Sequence, residues 1–169
     1  DYTALPGKCY NKRVINVSNG MIQQKWRQDM NQMEETAKKL FDCNYFAVYN
    51  HVQMGTVERD KVSVYRDMVP ESTNQYGSIH GGALFMLSDA ASGMAARTDG
   101  RKYVTQQSNV YYMRGCTEGR VTATATVVKR GKTTCIIEAR VTDENDKLPF
   151  MGNYSFFCTG DAALEGKQD

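Results

Sequence analysis

The stretch "NQYGSIHGGALFMLSDA", residues 74–90, sets a carboxylate, Asp89, in a run that is otherwise uncharged and mostly apolar. From Ala83 to Ala96 no other side chain ionises. Burying an unpaired carboxylate is costly, so a purely structural role is disfavoured and chemistry is indicated. Eight residues upstream, Gly81 and Gly82 stand where a helix begins. Glycine there lets a ligand approach backbone N–H groups that have no partner inside the helix. Those groups and the helix dipole favour negative charge, and the oxyanion that forms on an attacked carbonyl is such a charge. His80 and Asn74 are placed to orient this loop or add a donor. Asp89 then activates water as general base or attacks the carbonyl itself.

The spacing complicates this scheme in an informative way. At 1.5 Å per residue, Asp89 lies about 12 Å along the helix from Gly81. One chain's pair cannot both touch one carbonyl. A two-fold partner whose helix runs antiparallel brings the second copy's Asp89 beside the first copy's Gly81, so the carboxylate predicts a dimer. Ala90, Ala91, Ser92 and Gly93, being small, leave room for that approach or for a substrate channel.

The elements that must hold these residues follow from periodicity. In "SNGMIQQKWRQDMNQMEETAKKLF" the apolar positions Ile22, Trp26, Met30, Met33, Ala37, Leu40 and Phe41 recur every three or four residues, which predicts a helix over about 19–42 capped by Ser18 or Asn19. Two short strand-like runs flank a turn at Arg59-Asp60. After the apolar helix, with Gly100 as its stop signal, come "KYVTQQSNVYYM", "GRVTATATVV", "TTCIIEARVT" and "LPFMGNYSFFCT", read as four strands in a meander with turns at Arg130-Gly131-Lys132 and Asp143–Asp146. A helix apolar on nearly every side must be wrapped, and a curved antiparallel sheet of five or six strands is the partner this chain offers. The expected fold class is α+β, a hotdog-like sheet around one central apolar helix with an extra N-terminal helix. That extra helix serves as a lid on a substrate tunnel or as a pad on exposed sheet, and the pad is preferred. The expected division is an extension over 1–50, the hotdog domain over 51–160 and a tail over 161–169.

Composition bounds the alternatives. With 169 residues, 41% hydrophobic and 24% charged, the chain reads as one soluble globular domain. A net charge of +2 without a dense basic run gives no reason to expect nucleic acid. Cys9, Cys43, Cys116, Cys135 and Cys158 are odd in number and widely spaced, which suggests free thiols in a reducing cytoplasm rather than disulfides or a metal site. No apolar run reaches the roughly 20 residues of a membrane span, and no signal-peptide pattern is present. The first residue is Asp1 rather than Met, which leaves room for a trimmed leader. His51 has no partner motif and reads as a surface residue. A G-x-S-x-G elbow is absent, as are dinucleotide and P-loop fingerprints.

Asn74, Gly77, His80-Gly81-Gly82 and Asp89, followed by Thr105 at the start of a strand ending "VYYM", resemble the PaaI-like, phenylacetic-acid-degradation type of hotdog thioesterase. The resemblance extends through "GRVTATATVVKRGKTTCIIEARVTDENDKL" and covers about two-thirds of the chain. His-Gly-Gly alone is a weak signal, whereas the combined spacing is specific. The resemblance implies hydrolysis of acyl-coenzyme A thioesters at a site shared between protomers of a homodimer or tetramer, with no cofactor beyond the coenzyme A of the substrate. It implies that Asn74 orients the catalytic water or the loop, that the Gly81 amide polarises the carbonyl and that His80 supports the loop. Asp89 of the other protomer is then nucleophile or base, and Thr105 holds water or the carboxylate. Gly82 lies at the substrate, and the basic groups Lys129, Arg130 and Lys132 suit coenzyme A phosphates. Where the family often carries proline, this chain has Arg114-Gly115-Cys116, which alters the local loop but not the catalytic set. The competing reading is a non-catalytic acyl-CoA-binding or sensing hotdog protein. Asp89 discriminates, because a binder has little use for a carboxylate beside a thioester carbonyl.

Overall fold

The computed structural model describes residues 19–160; Cys9, the candidate cap Ser18 and the tail at 161–169 lie outside the described residues. Helix α1 (Asn19–Asp42) has the extent its periodicity predicts. In its second half Ala37 and Phe41 are buried, with Met33 and Leu40 packed beside them, and the helix lies against strand β1 (Gln53–Glu58) as a pad on the edge of the sheet. A short helix α2 (Tyr45–Tyr49) follows, capped by Asn44, whose Oδ1 accepts the Ala47 N–H at 3.2 Å. Five residues are too few to show a period, so nothing in the pattern predicts it. Strand β2 (Lys61–Asp67) pairs with β1 across the expected turn, where Asp60 has φ +64.

Helix α3 (Gly81–Arg97) is followed by β3 (Lys102–Tyr112), β4 (Arg120–Arg130), β5 (Thr134–Asp143) and β6 (Phe150–Gly160). All six strands form one antiparallel sheet in the order β1-β2-β4-β5-β6-β3. The four-strand meander is therefore corrected. β4, β5 and β6 do run as a meander, but β3 lies at the far edge beside β6, and β4 pairs with β2. The cause is α3: the chain crosses the face of the sheet as a helix between β2 and β3, so β3 arrives on the opposite side and leaves the space between them to the later strands. Gly100, at φ +86, supplies the left-handed residue that turns the chain out of α3.

The core sits between α3 and the inner face of the sheet. Leu84, Leu87 and every residue from Ala90 to Ala96 are buried, opposite Val62, Val64, Val121, Ala123, Ala125, Ile137, Ala139, Val141 and Phe156. The small residues Ala90, Ala91, Ser92 and Gly93 are all buried within the single chain. With the alanines of β4 and β5 they let helix and sheet approach closely. The α3 face left partly open carries Gly81, Phe85, Met86 and Asp89. No helix among the described residues is long and apolar enough to cross a membrane.

Candidate active site

The loop that enters α3 is closed on itself by an antiparallel bridge between Thr73 and Ile79. Asn74 organises its interior. The side-chain Oδ1 accepts the N–H groups of Tyr76 at 2.9 Å and Ser78 at 3.2 Å, while the backbone N–H donates to the Ser78 carbonyl at 2.8 Å. Gly77, at φ +74, completes the turn by donating to the Asn74 carbonyl. His80 is the N-cap of α3, and its Nδ1 accepts the Gly82 N–H at 2.9 Å. An accepting Nδ1 places the proton of the neutral ring on Nε2.

This cap changes what the two glycines can do. The Gly82 N–H is held by His80, so Gly82 is not a free donor to substrate. Its lack of a side chain matters for a different reason, because a Cβ there would lie 3.0 Å from His80 Nδ1. The Gly81 N–H keeps no acceptor among the described residues. A Cβ on Gly81 would stand 2.9 Å from the Tyr112 ring, so this amide is bare where the chain passes an aromatic wall. Asn74, Gly81, Leu84, Tyr112 and Met113 line an open cleft of ≈ 400 Å³.

Asp89 is half-buried on the same helix. Thr105, on β3, donates its hydroxyl to Asp89 Oδ1 at 2.9 Å. The pairing of β3 with β6 slips between Thr105 and Gln107, and such a bulge re-aims side chains next to it. Burial pushes the Asp89 carboxyl above its ordinary range, and the Thr105 hydrogen bond and the positive charge of Arg97 oppose that rise without cancelling it. A carboxyl drawn toward neutrality is better matched to taking a proton near pH 7. Neither Arg97 nor the Tyr112 wall stands among the residues the sequence singles out. Arg97 falls just outside the apolar run, yet Asp89, Gly93 and Arg97 recur at intervals of four, the spacing of one helical face.

The structure separates the three basic hairpin residues. Arg130 is committed elsewhere: its guanidinium donates to Asp60 Oδ1, to Asp99 Oδ2 at 2.8 Å and to the Ala96 and Ala95 carbonyls at 2.7 and 3.1 Å. It caps the C-terminus of α3, the end opposite Gly81, and leaves no face for a phosphate. Lys129 and Lys132 are exposed and make no ion pair among the described residues. Cys43 is exposed, Cys116 and Cys135 are buried and Cys158 is partly buried, all as free thiols. His51 is exposed.

Comparison with known proteins adds a family to this geometry. Residues 76–150 match the model of the Thioesterase superfamily. The chain is 29% identical over 100 residues to a 1,4-dihydroxy-2-naphthoyl-CoA hydrolase of Listeria monocytogenes, a match covering 57% of this chain and 81% of that protein. The fold superposes on the Escherichia coli PaaI protein of the phenylacetic acid degradation operon with a TM-score of 0.75 at 20% identity, over 78% of this chain and 96% of that one. A hypothetical thioesterase protein of Streptococcus pneumoniae, solved with coenzyme A, matches with a TM-score of 0.63 at 28% identity, over 66% of this chain and 90% of that one. Two alanine variants of a pneumococcal thioesterase protein so described also match at 28% identity and a TM-score of 0.62. One replaces an Asp and the other a Thr, at positions 16 residues apart, the separation of Asp89 and Thr105 here. Residues 76–150 of this chain thus match the Thioesterase superfamily, on a hotdog fold.

Proposed function

We propose that this protein hydrolyses acyl- or aryl-acyl-coenzyme A thioesters to the free acid and coenzyme A, at a site shared by two copies of the chain. The observation that carries this reading is Asp89, a half-buried carboxyl held by Thr105 on the helix whose bare Gly81 amide opens onto a cleft. The pneumococcal variants support it, because an Asp and a Thr with the same separation were chosen for replacement in a thioesterase protein.

In this reading the thioester carbonyl accepts the Gly81 N–H at the positive end of α3, and the Asn74 loop and the His80 cap hold that amide in place. Asp89 of the second copy takes a proton from water as the water oxygen attacks the carbonyl carbon. The oxyanion is stabilised by the amide, the C–S bond breaks, and the departing thiolate recovers the proton from Asp89. The same carboxylate could instead attack directly and form an anhydride that water then opens. Thr105 keeps the carboxylate aimed in either course. Lys129 and Lys132 take the coenzyme A phosphates, with Arg130 excluded by its place at the helix C-terminus. The test is thiol release, followed with a chromogenic thiol reagent over short, medium, long and aryl acyl groups. Turnover that Asp89→Asn removes supports a hydrolase. Tight acyl-coenzyme A binding without release in the wild type would make the protein a binder.

A further inference from the structure

We infer that Arg97 tunes Asp89 as a positioning residue acting at a distance: folded back along α3 across Gly93 and tied to β3, its guanidinium sets a positive charge that favours the ionised Asp89 carboxyl, while Thr105 orients it. This rests on the reading of Asp89 as the reacting carboxylate and extends it to a group two helical turns away.

Three observations place Arg97 in this role. Its Nη2 donates to the Tyr103 carbonyl at 2.6 Å, which draws the head group toward the strand that carries Thr105. A Cβ built on Gly93 would stand 2.7 Å from Arg97 Nη1 and 3.8 Å from Cζ, so the guanidinium lies directly over that glycine, on the line from Arg97 to Asp89. Gly93 is therefore required not only for the sheet packing but as the gap the side chain crosses. Third, the two charges act on each other. Burial lowers the Arg97 pKa and Asp89 raises it again, while Arg97 in turn pulls the Asp89 carboxyl down.

Other groups do not supply this charge. Thr105, from β3, is a neutral donor, and Tyr154, from β6, is a phenol that burial pushes well above its ordinary range. Among the described residues Arg97 is the cation that acts on Asp89. The Tyr103 bond alone would leave Arg97 as a helix-to-strand tie; its position over Gly93 makes it electrostatic as well.

The experiment is a carbon-13 carboxyl NMR titration of Asp89, assigned by loss of the signal in Asp89→Asn, in the wild type, Arg97→Gln, Arg97→Lys and Gly93→Ala. Arg97→Gln is expected to raise the Asp89 titration by about half a pH unit or more. Arg97→Lys should restore most of the difference, and Gly93→Ala should shift it upward while keeping the arginine. The acidic limb of kcat/KM should move by the same amount, a loss of about threefold below the limb for each half pH unit, with none above it. An Asp89 titration unchanged in Arg97→Gln overturns the inference, even if Tm falls, because a mere tie would lower Tm alone. A titration that moves while the rate limb stays fixed upholds the coupling and instead contradicts the catalytic reading of Asp89.

Discussion

At Asp89 the demands of folding and of the proposed reaction oppose each other. Burial raises its carboxyl pKa in the folded chain. The stability contributed by the protonated form is thus present below the unfolded carboxyl pKa and lost as pH rises through the folded value. Asn is uncharged throughout and escapes that loss. Asp89→Asn is therefore expected to match or exceed the wild-type Tm at pH 7, while kcat falls by about a hundredfold to ten-thousandfold with little change in KM. The wild-type kcat/KM should rise with pH along a limb above the ordinary carboxylate range, since the ionised form is the reactive one. Thermal scans and a pH–rate series on the same preparations check both. At Gly81 the expected effect comes from space: a side chain meets Tyr112 at 2.9 Å, and Gly81→Val should slow turnover by about a hundredfold or more by displacing the carbonyl from its donor. Asn74→Ala, which removes the acceptor for two loop N–H groups, should slow it less.

Helix α3 joins two ends with different tasks, the bare amide at Gly81 and the charged cap at Arg130. The Asp99 side chain beside Arg130 is only 5% exposed and also pairs with Arg101 and the Tyr103 hydroxyl, so Arg130→Met removes one of its two cations together with the donors to the Ala95 and Ala96 carbonyls and should cost about 1–3 kcal/mol in urea unfolding. Lys129→Ala and Lys132→Ala should leave that curve unchanged and raise KM for acyl-coenzyme A. The contrast explains what could be read from the sequence. Both long helices were legible, since their apolar positions either repeat every three or four residues or fill the whole surface. The loop of Asn74, His80 and Gly81 was legible because a turn residue, a cap and a helix-starting glycine follow one another in the sequence. Arg130 was not, because its partners Asp60 and Asp99 lie 70 and 31 residues away and only the fold brings them together. The place of β3 was hidden for the same reason: adjacency in sequence favours a meander, and the crossing of α3 overrides it. Arg97 was readable in principle by counting fours from Asp89.

For the molecule as a whole, β3 is the edge that needs a neighbour. After Lys102 at its start it carries no charged residue and no proline, and its Val104, Tyr111 and Tyr112, with Met113 just beyond, are exposed in the single chain. Natural sheets protect free edges with charges and prolines, so a bare edge next to Thr105 fits pairing with a second copy. In the proposed shared site, that pairing brings one copy's Asp89 to the other's Gly81, which the distance of about 12 Å within a chain otherwise forbids. The decisive measurement is complementation between two inactive proteins, Gly81→Val and Asp89→Ala, carrying different affinity tags and co-expressed. Each homo-oligomer lacks one essential part at every site. In a mixed pair one site holds both defects, and the other combines an intact Gly81 with an intact Asp89 from the opposite chain. Tandem-purified mixed dimers should release thiol from acyl-coenzyme A at about half the wild-type rate per dimer. Mixed dimers that form in good yield and stay as inactive as either parent would contradict the shared site.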